Sequence, residues 1–106
     1  MRLRSSQALD DEDLNFMAAV SDALGHPARL QILRYVMRES VVRNDICNKE
    51  LVGIFPQSQA TISQHVKKLV EANLFSVNRE NGFSFYSVNR ETLEKFTSCL
   101  NELYER

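Results

Sequence analysis

Residues Gln57–Asn73 read QSQATISQHVKKLVEAN, and this stretch decides the fold that the sequence predicts. Its apolar residues recur at the spacing i, i+4, i+7 and i+8, which places them along one side of an α-helix. These residues are Ile62, Val66, Leu69 and Val70. Ser58 is suited to cap the start of the helix, and Asn73 is suited to end it because asparagine tolerates left-handed backbone. The stretch therefore predicts one amphipathic helix.

The opposite side of this helix is polar. It collects Ser63, Gln64, Lys67 and Lys68, with Ala60 and Thr61 near its start. Short polar side chains at the start of a helix can hydrogen-bond base edges in a major groove, while lysines one turn later neutralise flanking phosphates. An ordinary surface helix with a solvated face has the same pattern, so the helix alone leaves both interpretations open.

The residues after Asn73 favour the first interpretation, because the apolar period changes from about 3.6 to 2. The segment FSVNRE-NG-FSFYSV alternates apolar and polar residues around Asn81-Gly82, which is the strongest short signal for a two-residue hairpin turn. Counting outward from the turn gives three cross-strand pairs on one face. These pairs are Arg79 with Ser84, Val77 with Tyr86, and Phe75 with Val88. A hairpin in this position is a wing.

The preceding sequence predicts three more helices. The first begins at Asp11 with an acidic turn and ends at Gly25, and the second runs from Pro27 to about Glu39. A short third helix is expected over Ile46–Phe55, where Pro56 ends it. The last helix is expected over Arg90–Arg106. The fold class is therefore mainly α with a small β-hairpin, in the order α-α-α-α-β-β-α, with residues 1–10 as a flexible arm and residues 11–106 as one domain.

The same periodicity predicts which side chains are buried. In the second helix and the loop after it, the residues expected inward are Leu30, Ile32, Leu33, Val36 and Met37, with Val41 and Val42 partly covered. In the third helix, Leu51 and Ile54 are expected inward. Arg29, Arg34 and Arg38 are expected to face water.

Size and composition limit the class of protein. With 106 residues, 43% hydrophobic and 25% charged, the chain is expected to be one globular domain. Its apolar runs are shorter than a membrane span, and the acidic N-terminus lacks the apolar core of a secretory signal. Two cysteines far apart in sequence make no disulfide framework. These features predict a cytoplasmic protein with no membrane partner.

Charge is unevenly distributed along the chain. The net charge is −1, but His26–Phe55 carries five basic and three acidic residues, and Pro56–Arg90 carries four basic and two acidic. Both ends are net negative. The basic middle is sufficient for phosphate contact with modest electrostatic affinity.

Three segments resemble the ArsR/SmtB-type regulators. ALGHPARLQILRYV is similar to their second helix, SQATISQHVKKLVEANL to their recognition helix, and GFSFYSV to their second wing strand. The resemblance implies a winged helix-turn-helix homodimer, usually a repressor, which leaves a palindromic operator when an effector binds. It places DNA contacts on Gln57, Ser58, Gln59, Thr61, Ser63, Gln64, His65, Lys67, Lys68 and Arg79. The effector itself is not implied.

The usual metal sites of that family are incomplete here. One family site uses Cys-x-Cys before the recognition helix, and alignment places Cys47 and Lys49 on those two positions. A cation thus replaces a thiolate ligand. The second family site uses Asp and His on the last helix, but Arg90–Arg106 contains neither. We therefore expect no metal and no other cofactor. His65 is expected to pack half-buried or to contact a phosphate.

The last helix carries a narrow apolar stripe that predicts a helix–helix contact. It consists of Leu93, Phe96, Leu100 and Leu103. We interpret it as a dimer interface. Leu14 and Met17 either extend this interface from the first helix or belong to the core.

The two cysteines leave two interpretations open. Cys47 precedes the recognition motif and Cys99 lies on the proposed dimer helix, so a disulfide between the two, or between the two copies of Cys99 in a dimer, would act as a thiol switch. The alternative is that both are small buried hydrophobic residues, as cysteines frequently are.

The sequence features bear on three classes of function. A sequence-specific DNA-binding transcriptional regulator explains the polar helix and its paired lysines. A winged helix that binds a protein partner instead of DNA is the alternative, because the net charge is near neutral. An enzyme is not expected, since the sequence has no phosphate-binding glycine loop and no pattern of catalytic residues.

Overall fold

The computed structural model describes residues 9–105. Five helices and one two-stranded antiparallel sheet follow each other in the predicted order. They are α1 (Asp11–Leu24), α2 (Pro27–Glu39), α3 (Asn48–Ile54), α4 (Gln59–Glu71), β1 (Phe75–Glu80), β2 (Phe83–Val88) and α5 (Arg90–Tyr104). This is a winged helix-turn-helix, so the predicted fold class is confirmed. The predicted arm covers residues 1–10, of which residues 1–8 lie outside the described residues.

Local signals placed most of the helix ends correctly. Asp10 caps α1 through its side chain, which accepts from the backbone N–H of Asp13 at 2.8 Å. Gly25 is the C-cap of α1, and His26 and Pro27 start α2 as predicted. Asn73 has a φ of 64°, the left-handed conformation expected just beyond α4.

The hairpin has the predicted register, with Phe75 opposite Val88, Val77 opposite Tyr86, and Arg79 opposite Ser84. Both turn residues have positive φ, 52° at Asn81 and 83° at Gly82. Positive φ at both positions is the type I′ requirement that makes Asn-Gly the favoured dipeptide.

The third helix is shorter than predicted. It begins at Asn48, because the two preceding residues pair with the wing instead. The carbonyl of Ile46 accepts a hydrogen bond from the backbone N–H of Tyr86 at 2.8 Å, and Cys47 pairs with Phe85 in an isolated antiparallel bridge. Ile46 is fully buried. The wing is therefore attached to the start of α3 by backbone hydrogen bonds.

One core joins α1, α2, α3, α4 and the base of the wing. Its buried members are Val20, Ala23, Ile32, Leu33, Val36, Ile46, Leu51, Ile62, Val66, Leu69, Leu74 and Phe75. The inward side of α4 is thus Ile62, Val66 and Leu69, as the sequence predicts, and this orientation turns the polar side of α4 outward.

Four residues predicted to be covered are instead exposed, so the prediction of their burial is wrong. Leu30 and Ile54 are each 47% exposed, and Val41 and Val42 in the loop after α2 are 71% and 79% exposed. Leu30 lies one turn before the exposed Arg34, at the edge of the stripe formed by Ile32, Leu33 and Val36.

Arg29 is a correction in the opposite direction. It was predicted to face water, but it is half-buried and its guanidinium is hydrogen-bonded to backbone carbonyls of α1. Arg29 precedes Ile32 and Leu33 by three and four residues, so the helical period places it on their side of α2.

Candidate nucleic-acid interface

The start of α4 is built by its capping residue. Ser58 Oγ accepts a hydrogen bond from the backbone N–H of Thr61 at 3.2 Å and lies 3.0 Å from Thr61 Oγ1. The cap begins the helix at Gln59, so the first turn of α4 presents polar side chains at the positive end of the helix dipole. An anionic surface such as a phosphate backbone is favoured at this end.

The outward side of α4 is exposed. The exposed residues among those predicted to contact DNA are Ser58, Gln59, Thr61, Ser63, Gln64, Lys67 and Lys68, together with Arg79 on the wing. Amide and hydroxyl groups therefore lie near the start of the helix and two ammonium groups lie further along it. The helix is 13 residues long, enough to lie in a major groove while its buried side remains packed on the core.

Gln57 and His65 do not belong to this exposed set. Gln57 precedes the cap and is half-buried. His65 is only 7% exposed, and its ring packs between α2 and α4, 4.7 Å from the ring centroid of His26. This burial supports the packing alternative for His65, and its assignment as a DNA contact stays a prediction.

A groove of about 590 Å³ lies between the start of α3, α4 and the wing. Three cationic residues from these three elements line it: Lys49, Lys67 and Arg79. The Arg79 guanidinium donates to Ser84 Oγ at 2.7 Å, which holds it along the wing strand. Glu71 is the acidic residue that lines the groove, and the three cations outnumber it, so the groove carries a net positive charge. This arrangement suits a sugar–phosphate backbone passing between the helix and the wing.

Lys49 was not predicted as a contact residue. In the sequence, Lys49 is notable because it occupies the position of a metal-binding cysteine in the family. The fold places it in the same groove as Lys67 and Arg79. A signal was available, since a lysine on the first turn of the helix before a recognition helix is close to that helix in space.

At the wing tip, Phe83 is 60% exposed and stacks on Phe85 with ring centroids 6.1 Å apart.

A polar cluster fixes α3 against α2. Arg43 in the connecting loop forms ion pairs with Glu39, Asp45 and Glu50, and the Tyr35 hydroxyl donates to Glu50. Hydrogen bonding from Arg43 lowers the pKa of Glu50, and hydrogen bonding to Glu50 raises the pKa of Tyr35. The cluster orients α3, and with it Lys49, relative to α4.

Comparison with known proteins identifies the family. Residues 26–77 match the family model described as bacterial regulatory protein, arsR family. The chain is also 31% identical over 93 residues to nodulation protein NolR of Rhizobium meliloti, which covers 88% of this chain and 72% of that protein. The chain belongs to the ArsR family.

Two further relatives agree with this assignment. The arsenical resistance operon repressor of Bacillus subtilis (strain 168) is 33% identical over 76 residues, covering 72% of this chain and 69% of that protein. The crystal structure of NolR from Sinorhizobium fredii superposes with a TM-score of 0.65 at 28% identity, covering 92% of this chain and 96% of that one. The ArsR-family chain is thus a DNA-binding transcriptional regulator and not an enzyme, as predicted.

The predicted dimer residues of this ArsR-family chain fall into two groups. Leu14, Leu100 and Leu103 are 46%, 42% and 61% exposed, on α1 and α5, which contact each other. Leu93 and Phe96 are half-buried against the core of the same chain. Met17 is 7% exposed, which supports its alternative assignment to the core. Tyr104, which the predicted stripe does not include, is 88% exposed on the last turn of α5.

The cysteines of the ArsR-family chain differ in accessibility. Both thiols are free, with Cys99 only 3% exposed on α5 and Cys47 half-buried at the start of α3, where it lines the groove. The burial of Cys99 supports its interpretation as a small hydrophobic residue.

Within residues 9–105, no group of three or more His, Cys, Asp or Glu side chains is arranged to hold a metal ion.

None of the helices that the structure describes is both long enough and apolar enough to cross a membrane.

Proposed function

We propose that this chain is a transcriptional repressor that binds a two-fold symmetric operator as a homodimer, with α4 in the major groove of each half-site. The observation that carries the proposal is the exposed polar side of α4 beside a groove lined by Lys49, Lys67 and Arg79. Amides and hydroxyls read base edges, while the three cations hold the phosphate backbone between α4 and the wing.

Chemistry assigns separate roles to the exposed residues of α4. Gln59 and Gln64 can donate and accept at one base edge, and an amide pairs well with adenine. Lys67 and Lys68 lie further along the helix and neutralise phosphates without reading sequence. Ser58 and Thr61 are occupied with each other at the helix cap, so they position the start of α4 against the DNA.

A homodimer follows from the small footprint of one recognition helix. A single helix-turn-helix contacts too few base pairs for useful selectivity, whereas a two-fold dimer doubles the contact on a palindrome. The exposed side chains of Leu14, Leu100, Leu103 and Tyr104 form the apolar surface that a second copy would cover. Repression is supported by the Bacillus subtilis relative, which is named a repressor.

The test is selection of duplexes from a random double-stranded library by the purified chain. We expect a two-fold symmetric consensus with half-site centres about one helical turn, or 10 base pairs, apart. The matched control is a variant with Gln59, Gln64, Lys67 and Lys68 all replaced by Ala. All four side chains are exposed, so this variant is expected to fold and to enrich no consensus.

Two results would contradict the proposal. One is selection without a common motif, and the other is equal binding by the fourfold variant. Either result would favour the protein-binding alternative. Repression itself is tested by in vitro transcription from a promoter that contains the selected duplex, where the chain is expected to lower transcript yield.

A further inference from the structure

The guanidinium of Arg29 joins three helices. Its Nε donates to the carbonyl of Ala23 at 2.7 Å and one terminal nitrogen donates to the carbonyl of Asp22 at 3.3 Å. Both carbonyls belong to the last turn of α1, which has no basic residue of its own. Arg29 therefore supplies the cation that the negative end of the α1 dipole lacks, from a position on α2.

The third contact of Arg29 is with the recognition helix. Its other terminal nitrogen lies 3.2 Å from Nδ1 of His65 on α4. Because a guanidinium has donors only, Nδ1 of His65 must be the acceptor and must carry no proton. The neutral ring then carries its proton on Nε2. The contact joins α4 to the end of α1 through one side chain.

The surroundings of His65 oppose its protonation. The charged and titratable groups that face it are Arg29 of α2 and His26 at the N-cap of α2, while Lys68 of α4 lines a shared groove with Arg29 and His65. α1 contributes the carbonyls of Asp22 and Ala23, which accept hydrogen bonds from the Arg29 guanidinium. Burial, followed by the charges of His26 and Arg29, lowers the pKa of His65.

We propose that the Arg29–His65 hydrogen bond holds α4 in its DNA-reading position against α1, and that protonation of His65 breaks this bond and weakens operator binding. Protonation removes the acceptor lone pair and places a second cation beside the guanidinium in a buried site. His65 is thus a positioning residue. The inference rests on the proposed reading of DNA by α4.

The sign of the effect is unusual for a DNA-binding protein. Added positive charge at low pH ordinarily strengthens attraction to phosphates. Here the lowered pKa of His65 means that its stabilising contact is complete above the ordinary histidine pKa of about 6.5 and is lost as pH falls through the lowered pKa. A decrease in affinity on acidification therefore separates the proposed contact from general electrostatics.

The test is binding of a fluorescent duplex, selected as described above, at constant ionic strength. Affinity of the parent chain is expected to fall as the pH is lowered from about 7.5 through the lowered pKa of His65, by up to about tenfold per subunit for each pH unit below that pKa, since one proton is taken up per subunit. His65→Asn places an amide oxygen where Nδ1 lies but cannot be protonated, so it should bind like the parent at about pH 7.5 and keep its affinity on acidification.

His26→Asn is the matched control. The ring Nδ1 of His26 accepts from the backbone N–H of Ala28 at 3.2 Å as the cap of α2, and asparagine is a good capping residue that does not titrate. This variant is expected to lose affinity on acidification as the parent does, but at a higher pH, because the charge of His26 helps to lower the pKa of His65. Affinity that is constant or rises on acidification in the parent, or an equal fall in His65→Asn, would overturn the proposal. Absence of binding at about pH 7.5 would instead refute the proposed function.

A measurement without DNA tests the same bond if His65→Asn does not fold. Nitrogen-15 NMR of the parent ring is expected to show the Nε2–H tautomer of His65, and its protonation is expected to shift backbone amide signals of α4. The Nδ1–H tautomer, or a titration that leaves the α4 amides unchanged, would overturn the proposal. This outcome does not depend on whether the chain binds DNA.

Discussion

The side-chain amide of Asn48 donates a hydrogen bond to Ser63 Oγ across the helix-turn-helix, with Nδ2 and Oγ 3.1 Å apart. Asn48 is the first residue of α3, and Ser63 lies on the exposed side of α4. Because the Ser63 oxygen accepts from Asn48, its own proton remains available to a base or a phosphate oxygen. The contact orients a hydroxyl donor on the proposed reading surface and ties the two helices together at that surface.

Base-reading and phosphate-binding residues of α4 should respond differently to truncation. Gln59→Ala or Gln64→Ala, where the amide contacts a base, should cost about 1–3 kcal/mol on the selected duplex and relax specificity at that position. Lys67→Ala or Lys68→Ala should weaken binding to all duplexes and reduce the salt slope by about one per contact. Fluorescence anisotropy at several salt concentrations, on selected and scrambled duplexes, measures both. Parent-like binding by all four variants would refute the assignment.

Lys49 should behave as a phosphate contact because it lines the groove with Lys67 and Arg79. Lys49→Gln is expected to lower affinity for selected and scrambled duplexes alike and to reduce the salt slope by about 0.9 per contact. Lys95→Gln removes the same charge from α5, outside the groove, where the ammonium lies 4.3 Å from the ring centroid of Phe16. It controls for net charge. Equal salt slopes for the two variants would show that Lys49 makes no specific contact.

If α5 forms the dimer interface, a charge introduced at Leu100 should prevent dimerisation. Leu100 is 42% exposed, so Leu100→Glu should fold as a single chain but place a carboxylate in the interface. Sedimentation at micromolar concentration is expected to give dimers for the parent and monomers with weakened duplex binding for the variant. Val42→Glu, at a loop residue that is 79% exposed, should remain dimeric. A monomeric parent at this concentration would contradict the proposed dimer.

The cluster around Arg43 predicts a specific loss of stability in acid. Since Arg43 lowers the pKa of Glu50, this carboxylate stabilises the fold above the unfolded glutamate pKa of about 4.3, and the stabilisation is lost as pH falls below that value. Glu50→Gln should therefore flatten the decline of the thermal midpoint in acid, with an effect of about 1 kcal/mol because the pair is partly solvated. Glu94→Gln, at an exposed position on α5, is the control. If the thermal midpoint of Glu50→Gln fell in acid as much as that of the parent, the Arg43–Glu50 pair would not stabilise the fold.

The thiol switch remains a hypothesis that oxidants can test. Because Cys99 is 3% exposed, it should resist diamide, peroxide and persulfide in the folded chain, and Cys99→Ser should respond to them as the parent does. Loss of an oxidant effect on duplex binding in Cys47→Ser alone would establish a switch at Cys47. If the parent, Cys47→Ser and Cys99→Ser all bound the duplex equally with and without oxidant, both cysteines would be structural.

Metal binding is a separate measurement, for which the expected result is negative. The sequence places Lys49 on a family ligand position, and a soft-metal site needs several converging donors. Zinc titration of the parent is expected to show no tight stoichiometric binding. Binding of one zinc per subunit at sub-micromolar concentration would refute this prediction.

Features set by short-range chemistry were determined by the sequence alone. Ser58 caps α4, Asn73 adopts left-handed backbone after it, and Asn81-Gly82 sets the hairpin register, each within a few residues of the atoms it contacts. Such preferences depend on one turn of chain, so a linear pattern contains them. The amphipathic period then fixes which side of α4 faces the core, and with it the exposed face that reads DNA in the proposed function.

The tertiary structure alone decided how residues from different helices meet. Periodicity put His65 at the border of α4, but only the packing of α1, α2 and α4 shows that Arg29 reaches it and that the ring is buried. Likewise, Lys49 joins Lys67 and Arg79 only because Ile46 and Cys47 pair with the wing and set the start of α3 beside it. The angle and distance between two helices depend on how their side chains interlock, which no single-helix pattern specifies.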